Sequence, residues 1–218
     1  MKTYDNIIFD LDGTLTDPAV GIINSMICAL EKYGIPAPDR SELMKFIGPP
    51  LVDSFQEFFH LSREEAKTIV DHYREYYREE GMFESSVFPG IQDLLRSLQE
   101  NGKVLMVATA KVEPFANTVL EHFGLAAYFT CIAGSNLDNT RTRKDEIILS
   151  VLERCEITDT EHTVMIGDRM YDILGAEKAG IDSIGVLFGY GTKEELQDAG
   201  ANIIAESVED LQRILLQE

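Results

Sequence analysis

Residues 7–17 read Ile7-Ile8-Phe9-Asp10-Leu11-Asp12-Gly13-Thr14-Leu15-Thr16-Asp17, and this stretch decides how the rest of the chain is read. Ile7, Ile8 and Phe9 form an apolar, partly β-branched run that predicts a buried strand. Two carboxylates, Asp10 and Asp12, leave that strand directly, and an uncompensated carboxylate near a strand core is costly. A bound divalent cation is the simplest compensation. Gly13 lets the chain turn sharply and approach a ligand, and Thr14 adds a hydroxyl. Two aspartates two residues apart suit a nucleophile with an adjacent acid/base. The alternative for the same residues is a strand end followed by an Asp-Gly turn.

Beyond this strand the pattern becomes helical. Asp17 caps a helix opened by Pro18, in which Ile22, Ile23, Met26, Ile27 and Leu30 recur at helical spacing before Gly34 ends it. Asp39 starts a second helix bearing Leu43, Met44 and Ile47, closed by Gly48-Pro49-Pro50. Leu51 to Phe59 read as a short third helix. Ser62 and Glu65 form a capping box for a fourth, reaching Glu80. Met26, Met44, Phe55, Phe58, Phe59, Tyr73, Tyr76 and Tyr77 fall at helical spacing and are expected in the core of this bundle.

From Val87 onward short apolar strands alternate with helices. The strands are expected at Val104–Ala108, Phe129–Ala133, Val164–Ile166, Ile184–Leu187 and Asn202–Ala205, with Gly102, Gly124 and Gly180 closing helices between them. Continuous apolar strands alternating with helices imply a parallel sheet covered on both faces. The expected fold class is therefore α/β, a doubly wound parallel sheet with an inserted α-helical bundle. Residues 1–15 and 86–218 form the core and 16–85 the helical cap, with hinges near Leu15 to Pro18 and Met82 to Phe88.

Composition limits the partners. The 218 residues carry 38 acidic and 19 basic side chains, a formal net charge of −19. That balance argues against non-specific binding to nucleic acid or to anionic membranes, both of which need basic surfaces. An acidic residue stands near the N-terminus where a signal peptide needs an apolar run, and no apolar stretch spans a bilayer. Three cysteines, Cys28, Cys131 and Cys155, lie in apolar stretches and read as reduced. A soluble, cytoplasmic protein is the expectation. The oligomeric state is not legible in the sequence.

Ligands of an open parallel sheet collect at the carboxyl ends of its strands, where the remaining candidates fall. Thr109 follows Val104–Ala108, as a ligand-binding hydroxyl or a simple turn residue. Lys144 opens a helix after the loop that begins at Ser135 and includes Arg141 and Arg143. A lysine there opposes the helix dipole, a conflict that an anionic partner resolves; the alternative is a solvated surface lysine. Asp168 follows the buried run Val164-Met165-Ile166-Gly167, and Asp172 lies four residues on, along the following helix. In the helical insert, Gly48-Pro49-Pro50 makes a stiff bend, suited to lowering over a site, with Lys45 as its nearest cation.

Asp10-Leu11-Asp12-Gly13-Thr14 resembles the first motif of the haloacid dehalogenase-like superfamily of phosphohydrolases. Thr109, Lys144 and Gly167-Asp168-Arg169-Met170-Tyr171-Asp172 resemble its later motifs, in order. The likeness is greatest to the phosphoglycolate phosphatase-like branch and to members assigned as 5′-nucleotidases. It implies Asp10 as nucleophile, Asp12 as acid/base, Thr109 and Lys144 on the transferred phosphoryl group, and Mg²⁺ held by Asp10, Asp12 and Asp168. It leaves Asp172 to hold a metal-bound water or orient Lys144, and Lys45 and Gly48 as substrate contacts from the cap. This chain has Ala110 and Lys111 where the family often has Asn after the threonine. The implied activity is a Mg²⁺-dependent phosphatase for a small phosphorylated metabolite, working through an aspartyl-phosphate. A 5′-nucleotidase, a pyrophosphatase, a β-phosphoglucomutase-type enzyme and an inactive binding module are the alternatives.

Overall fold

The computed structural model describes residues 2–49, 51–138 and 140–217. Its strands are β1 (Asn6–Phe9), β2 (Thr16–Asp17), β3 (Ser86–Val87), β4 (Val104–Val112), β5 (Cys131–Ser135), β6 (Thr163–Gly167), β7 (Asp182–Val186) and β8 (Ile203–Ala205). Helices α1 (Ala19–Tyr33), α2 (Arg40–Leu43), α3 (Leu51–Phe59) and α4 (Arg63–Glu79) come before β3. Helices α5 (Ile91–Glu100), α6 (Glu113–His122), α7 (Lys144–Arg154), α8 (Met170–Ala179), α9 (Lys193–Asp198) and α10 (Val208–Leu216) follow it. The chain divides into two compact units, residues 1–16 with 87–218, and residues 17–86.

In the first unit the described residues form a six-stranded sheet in the order β5-β4-β1-β6-β7-β8, with every adjacent pair parallel. β1 sits between β4 and β6, so the chain builds outward on one side and then restarts on the other. This is the topological switch point at which α/β sheets open a crevice. Register puts Phe9 opposite both Val107 and Ile166. Asp10, Ala108 and Gly167 therefore reach the carboxyl edge at one level.

Both faces of the sheet are dry. Ile8, Met106, Ala133 and Met165 pack with Ile147, Ile148 and Val151 of α7 and Ala176 of α8. The pleat turns Ile7, Phe9, Leu105 and Val107 the other way, and they are equally buried. On neither face does a strand show the apolar–polar alternation of a solvated sheet, as the sequence predicts.

Each strand that the sequence predicts is present, with shifted limits: β6 gains a residue at each end, β7 spans Asp182–Val186 rather than Ile184–Leu187, β8 begins one residue late, and β4 and β5 depart most. β5 begins at Cys131 rather than Phe129, because a 3₁₀ turn over Ala126–Tyr128 runs into it. Phe129 is spent on an edge-to-face contact with Phe9, ring centroids 6.3 Å apart. β4 continues to Val112, with a register break against β5 between Ala108 and Val112. Such a break re-aims side chains at a strand end, here those of Thr109 and Lys111.

The second unit is helical, built on α1 and α4. Ile22, Ile23, Met26 and Leu30 are buried on α1, and Ile69, Val70, Tyr73 and Tyr77 on α4. Tyr73 and Tyr77 stack with centroids 5.4 Å apart. The capping box of Ser62 and Glu65 forms as expected. The second helix is shorter than its apolar pattern suggests: α2 ends at Leu43, passes into a 3₁₀ turn over Met44–Phe46, and Ile47 is extended. The prolines that follow disfavour helix in the residues before them. Met44, in that turn, and Phe58, on α3, are exposed rather than in the core, while Phe46 and Phe55 are buried. Pro50 and Asn139 lie outside the described residues.

Ile8 is fully buried at the centre of the sheet, whereas Val20 is 54% exposed. Ile8→Ala should cost about 2–5 kcal/mol of unfolding free energy, through lost transfer energy and a cavity. Val20→Ala should stay within about 0.5 kcal/mol. Urea unfolding monitored by circular dichroism checks both.

Candidate active site

The site grows from the end of β1. The Asp10 amide donates to the Ile166 carbonyl at 2.8 Å, which carries β1 pairing one residue past the strand and fixes Asp10 beside β6. The chain then folds back on itself, with Gly13 N–H donating to Thr16 O at 2.7 Å and Leu15 N–H to Leu11 O at 2.9 Å. Gly13 takes φ +87°, and a Cβ there would lie 2.3 Å from Asp168 Oδ2. The glycine thus meets both a left-handed backbone and the close approach of a carboxylate.

Asp168 leaves β6 at the same level and is fully buried. It accepts hydrogen bonds from Thr14 Oγ1 at 3.3 Å and from the Tyr190 amide at 2.9 Å. Asp172 is 1% exposed and accepts from the Arg169 amide at 3.1 Å. Carboxylate oxygens of Asp10, Asp168 and Asp172 lie within 4.8 Å of one another, a set able to hold a metal ion.

Lys144 enters this group from the first turn of α7. Its Nζ donates to Asp10 Oδ1 at 2.8 Å and to the Ala108 carbonyl at 3.1 Å. It also lies 2.7 Å from Asp172 Oδ1, close enough for an ion pair but outside hydrogen-bond geometry, so that oxygen keeps acceptor capacity. Burial works against the ammonium, but Asp10 and Asp172 outweigh it and hold Lys144 above its ordinary pKa. Burial pushes Asp168 up to about 8, reinforced by Asp172 and Asp10. Burial likewise pushes Asp172 up to about 6, with Lys144 opposing.

When all three are ionised, the carboxylates exceed the one ammonium by two negative charges among buried side chains. All-oxygen donors and a deficit of two suit a hard divalent cation, so these residues fit Mg²⁺. Asp12 is placed differently. Its Oδ2 pairs with Lys111 Nζ at 2.7 Å, and its Oδ1 is buried with no hydrogen-bond partner among the described residues. The carboxylate of Asp12 therefore stands outside the metal-capable group, and that of Asp172 stands inside it. Burial raises the Asp12 pKa, and Lys111 works against the shift.

Thr109 is buried at the break in β4, and its Oγ1 accepts from the Lys111 amide at 3.2 Å. Asp10, Asp12, Thr109, Lys144, Asp168 and Asp172 thus gather at one edge. Sequence reasoning gave Lys111 no role beyond a departure from the family pattern. The available signal was a lysine two residues past an apolar strand, but only the irregular end of β4 turns it toward Asp12. The Tyr190 amide carried no side-chain signal. Its neighbour Gly189 did, since a Cβ there would meet Gly13 O at 2.3 Å.

Three arginines of these motifs pair with acids outside the carboxylate group. Arg143 pairs with Asp145 at 2.7 Å and Arg169 with Glu195 at 2.8 Å, while Arg141 reaches Glu113 at 2.7 Å. Within the helical unit, Lys45 Nζ lies 3.1 Å from the Phe58 ring centroid, and Gly48 takes φ 109°.

A sequence model described as haloacid dehalogenase-like hydrolase matches residues 7–186, a span that contains Asp10, Asp12, Thr109, Lys144, Asp168 and Asp172. The chain belongs to the haloacid dehalogenase-like hydrolases. Among curated relatives of this hydrolase, a 5′-nucleotidase of Pseudomonas aeruginosa is 46% identical, over 89% of this chain and 87% of its own. The tyrosine-protein kinase PtkA of Mycobacterium tuberculosis is 36% identical, over 96% and 72%. A phosphoglycolate phosphatase of Agrobacterium fabrum is 32% identical, over 84% and 80%. The crystal structure of a predicted phosphatase from Clostridium acetobutylicum superposes with a TM-score of 0.95 at 45% identity, covering 100% of both chains. Among the described residues, no helix is long and apolar enough to cross a membrane.

The raised pKa of Asp168 has a definite sign. Its ordinary value is 3.8 and its folded value about 8, so its contribution to stability is complete below pH 3.8 and is lost as pH rises through 8. The metal-free hydrolase should lose thermal stability across that window, and Asp168→Asn should flatten the loss. Mg²⁺ should stabilise the wild type more near the upper end than the lower, because binding needs ionised carboxylates. Thermal unfolding at several pH values, with and without Mg²⁺, measures this; equal Mg²⁺ stabilisation throughout would contradict it.

Proposed function

We propose that this hydrolase is a Mg²⁺-dependent phosphatase of small phosphorylated metabolites that works through an aspartyl-phosphate. One observation carries the reading. Asp10 and Asp12 each have one oxygen held by a different buried lysine, and the second oxygen of Asp12 has no hydrogen-bond partner among the described residues. The lysines orient two carboxylates for two roles.

In this reading Asp10 attacks phosphorus and forms the new P–O bond as the bond to the leaving oxygen breaks. Asp12, half-buried and raised toward its protonated form, gives its proton to that oxygen. Asp12 then takes a proton from the water that attacks the aspartyl-phosphate, which restores Asp10. Lys144 carries positive charge to the phosphoryl oxygens, and the Thr109 hydroxyl donates to one of them. Asp10, Asp168 and Asp172 are the side chains proposed to hold Mg²⁺, which supplies further positive charge to the phosphoryl group when bound. The three free cysteines suit a reducing compartment, and the cytoplasm is the proposed location.

A second, narrower reading is a 5′-nucleotidase, favoured by the 46% identical relative of that name. The phosphoglycolate phosphatase among the relatives supports a small acid phosphate instead. Phosphate release from 2-phosphoglycolate, nucleoside 5′-monophosphates, hexose phosphates and pyrophosphate separates these outcomes. The relative named a tyrosine-protein kinase adds one control, ATP with a tyrosine peptide. Transfer to that peptide without hydrolysis of any monoester would overturn the phosphatase reading.

Asp10→Asn should abolish phosphate release while leaving the circular dichroism spectrum unchanged. Asp12→Asn should lower kcat by about 10²- to 10⁴-fold, the usual worth of general acid–base catalysis. Chelation should remove activity and Mg²⁺ restore it. Steady-state kinetics with the best monoester checks all three, and full activity in chelator would reject the metal-assisted site.

A further inference from the structure

Arg141 stands outside the steps above, yet its guanidinium makes four hydrogen bonds. Its backbone takes φ 49°, a left-handed conformation uncommon for a residue with a side chain. Its guanidinium donates twice to the Gly134 carbonyl, from Nε at 3.1 Å and from Nη2 at 2.8 Å. Nη2 also reaches Glu113 Oε2 at 2.7 Å, and Nη1 reaches Ser150 Oγ at 3.3 Å. Glu113 in turn accepts from the Gly134 amide at 3.2 Å and from Arg154 at 3.1 Å.

These bonds join four pieces of backbone: the first turn of α6, the strand β5, the loop before α7, and α7 itself. Gly134 lies hard against the segment before α6, where a Cβ would fall 2.4 Å from the Lys111 carbonyl. Lys111 is two residues before Glu113, and Lys144 is three residues after Arg141. The backbone that carries Lys111 and the backbone that carries Lys144 are therefore tied to one shared knot. A planar fork that bonds a carbonyl twice and a carboxylate once fixes direction as well as distance.

We propose that Arg141, held by Glu113 and Gly134, is a positioning residue that sets Lys144 against Asp10 and Lys111 against Asp12, and is not a substrate contact. This rests on the phosphatase reading for its consequence, but the knot itself can be read without turnover.

The test uses the full chain and orthovanadate, a phosphoryl mimic, with binding measured by calorimetry in Mg²⁺. Arg141→Ala should weaken vanadate binding about tenfold, within the coupling seen for residues of one network, and leave Mg²⁺ binding unchanged. In a Lys144→Ala background the same change should cost much less, because the group it positions is gone. Arg141→Lys, which keeps the charge but loses the fork, should fall between and covers the case in which the alanine variant fails to fold. Hydrogen exchange should rise in Arg141→Ala over the first turn of α7 and the end of β4, with β1 unchanged.

An undiminished loss in the Lys144→Ala background would make Arg141 a direct contact and overturn the proposal. Equal weakening of Mg²⁺ binding would reduce it to general stability, with the same consequence. If the wild type binds no vanadate, the phosphatase reading fails instead; the exchange data then decide the knot, and unchanged exchange near Lys144 overturns it.

Discussion

Asp10, Asp168 and Asp172 crowd together at the carboxyl edge of the sheet with one ammonium, Lys144, among them. Much of the first unit can be understood as the means of tolerating that crowd. A buried carboxylate must be hydrogen-bonded, paired or neutralised. Here Thr14 and the Tyr190 amide serve Asp168, and the Arg169 amide serves Asp172. The Ala108 carbonyl accepts a further hydrogen bond from Lys144. Even so, burial lifts two of the acids well above their ordinary range. The site holds an electrostatic debt that a cation or a phosphoryl substrate changes, and such poised groups are what chemistry on an anion needs.

The sheet supplies the rigidity. β1 is bonded on both sides, with Phe9 in register with Val107 of β4 and Ile166 of β6. Three strands thus deliver Asp10, Thr109 and Asp168 from one close-packed slab rather than from independent loops. The residues behind them, Ile8, Met106 and Met165, are fully buried, so a displacement at the edge would have to disturb the core. The two lysines come differently, one from the irregular end of β4 and one from the first turn of α7. Their placement depends on side-chain bonds, which is why Glu113 and Arg141 matter.

Asp12 and Lys111 show how one pattern can hold two kinds of carboxylate. Asp10 joins the metal-capable group, while Asp12, two residues on, pairs with its own lysine and keeps one oxygen without a partner among the described residues. The sharp turn at Gly13 follows at once and brings the chain back against Asp168. The different surroundings of the two aspartates follow from that geometry and from the ion pair, not from residue type.

The sequence by itself determined the class of fold, because periodicity and burial obey local rules. Apolar runs of a few residues alternating with amphipathic helices have few solutions besides a covered parallel sheet. The carboxylates at the ends of those runs marked the crevice, and Asp10, Asp12, Thr109, Lys144 and Asp168 were legible as its residues. What tertiary structure alone decided was which polar group meets which. Asp172 joining the carboxylate group, Lys111 reaching Asp12 and Arg141 bonding the Gly134 carbonyl all depend on pairings that local sequence does not set. The late start of β5 and the long, broken end of β4 belong with them. A ring contact between Phe129 and Phe9 and a register shift are settled by packing across strands, about which local sequence is silent.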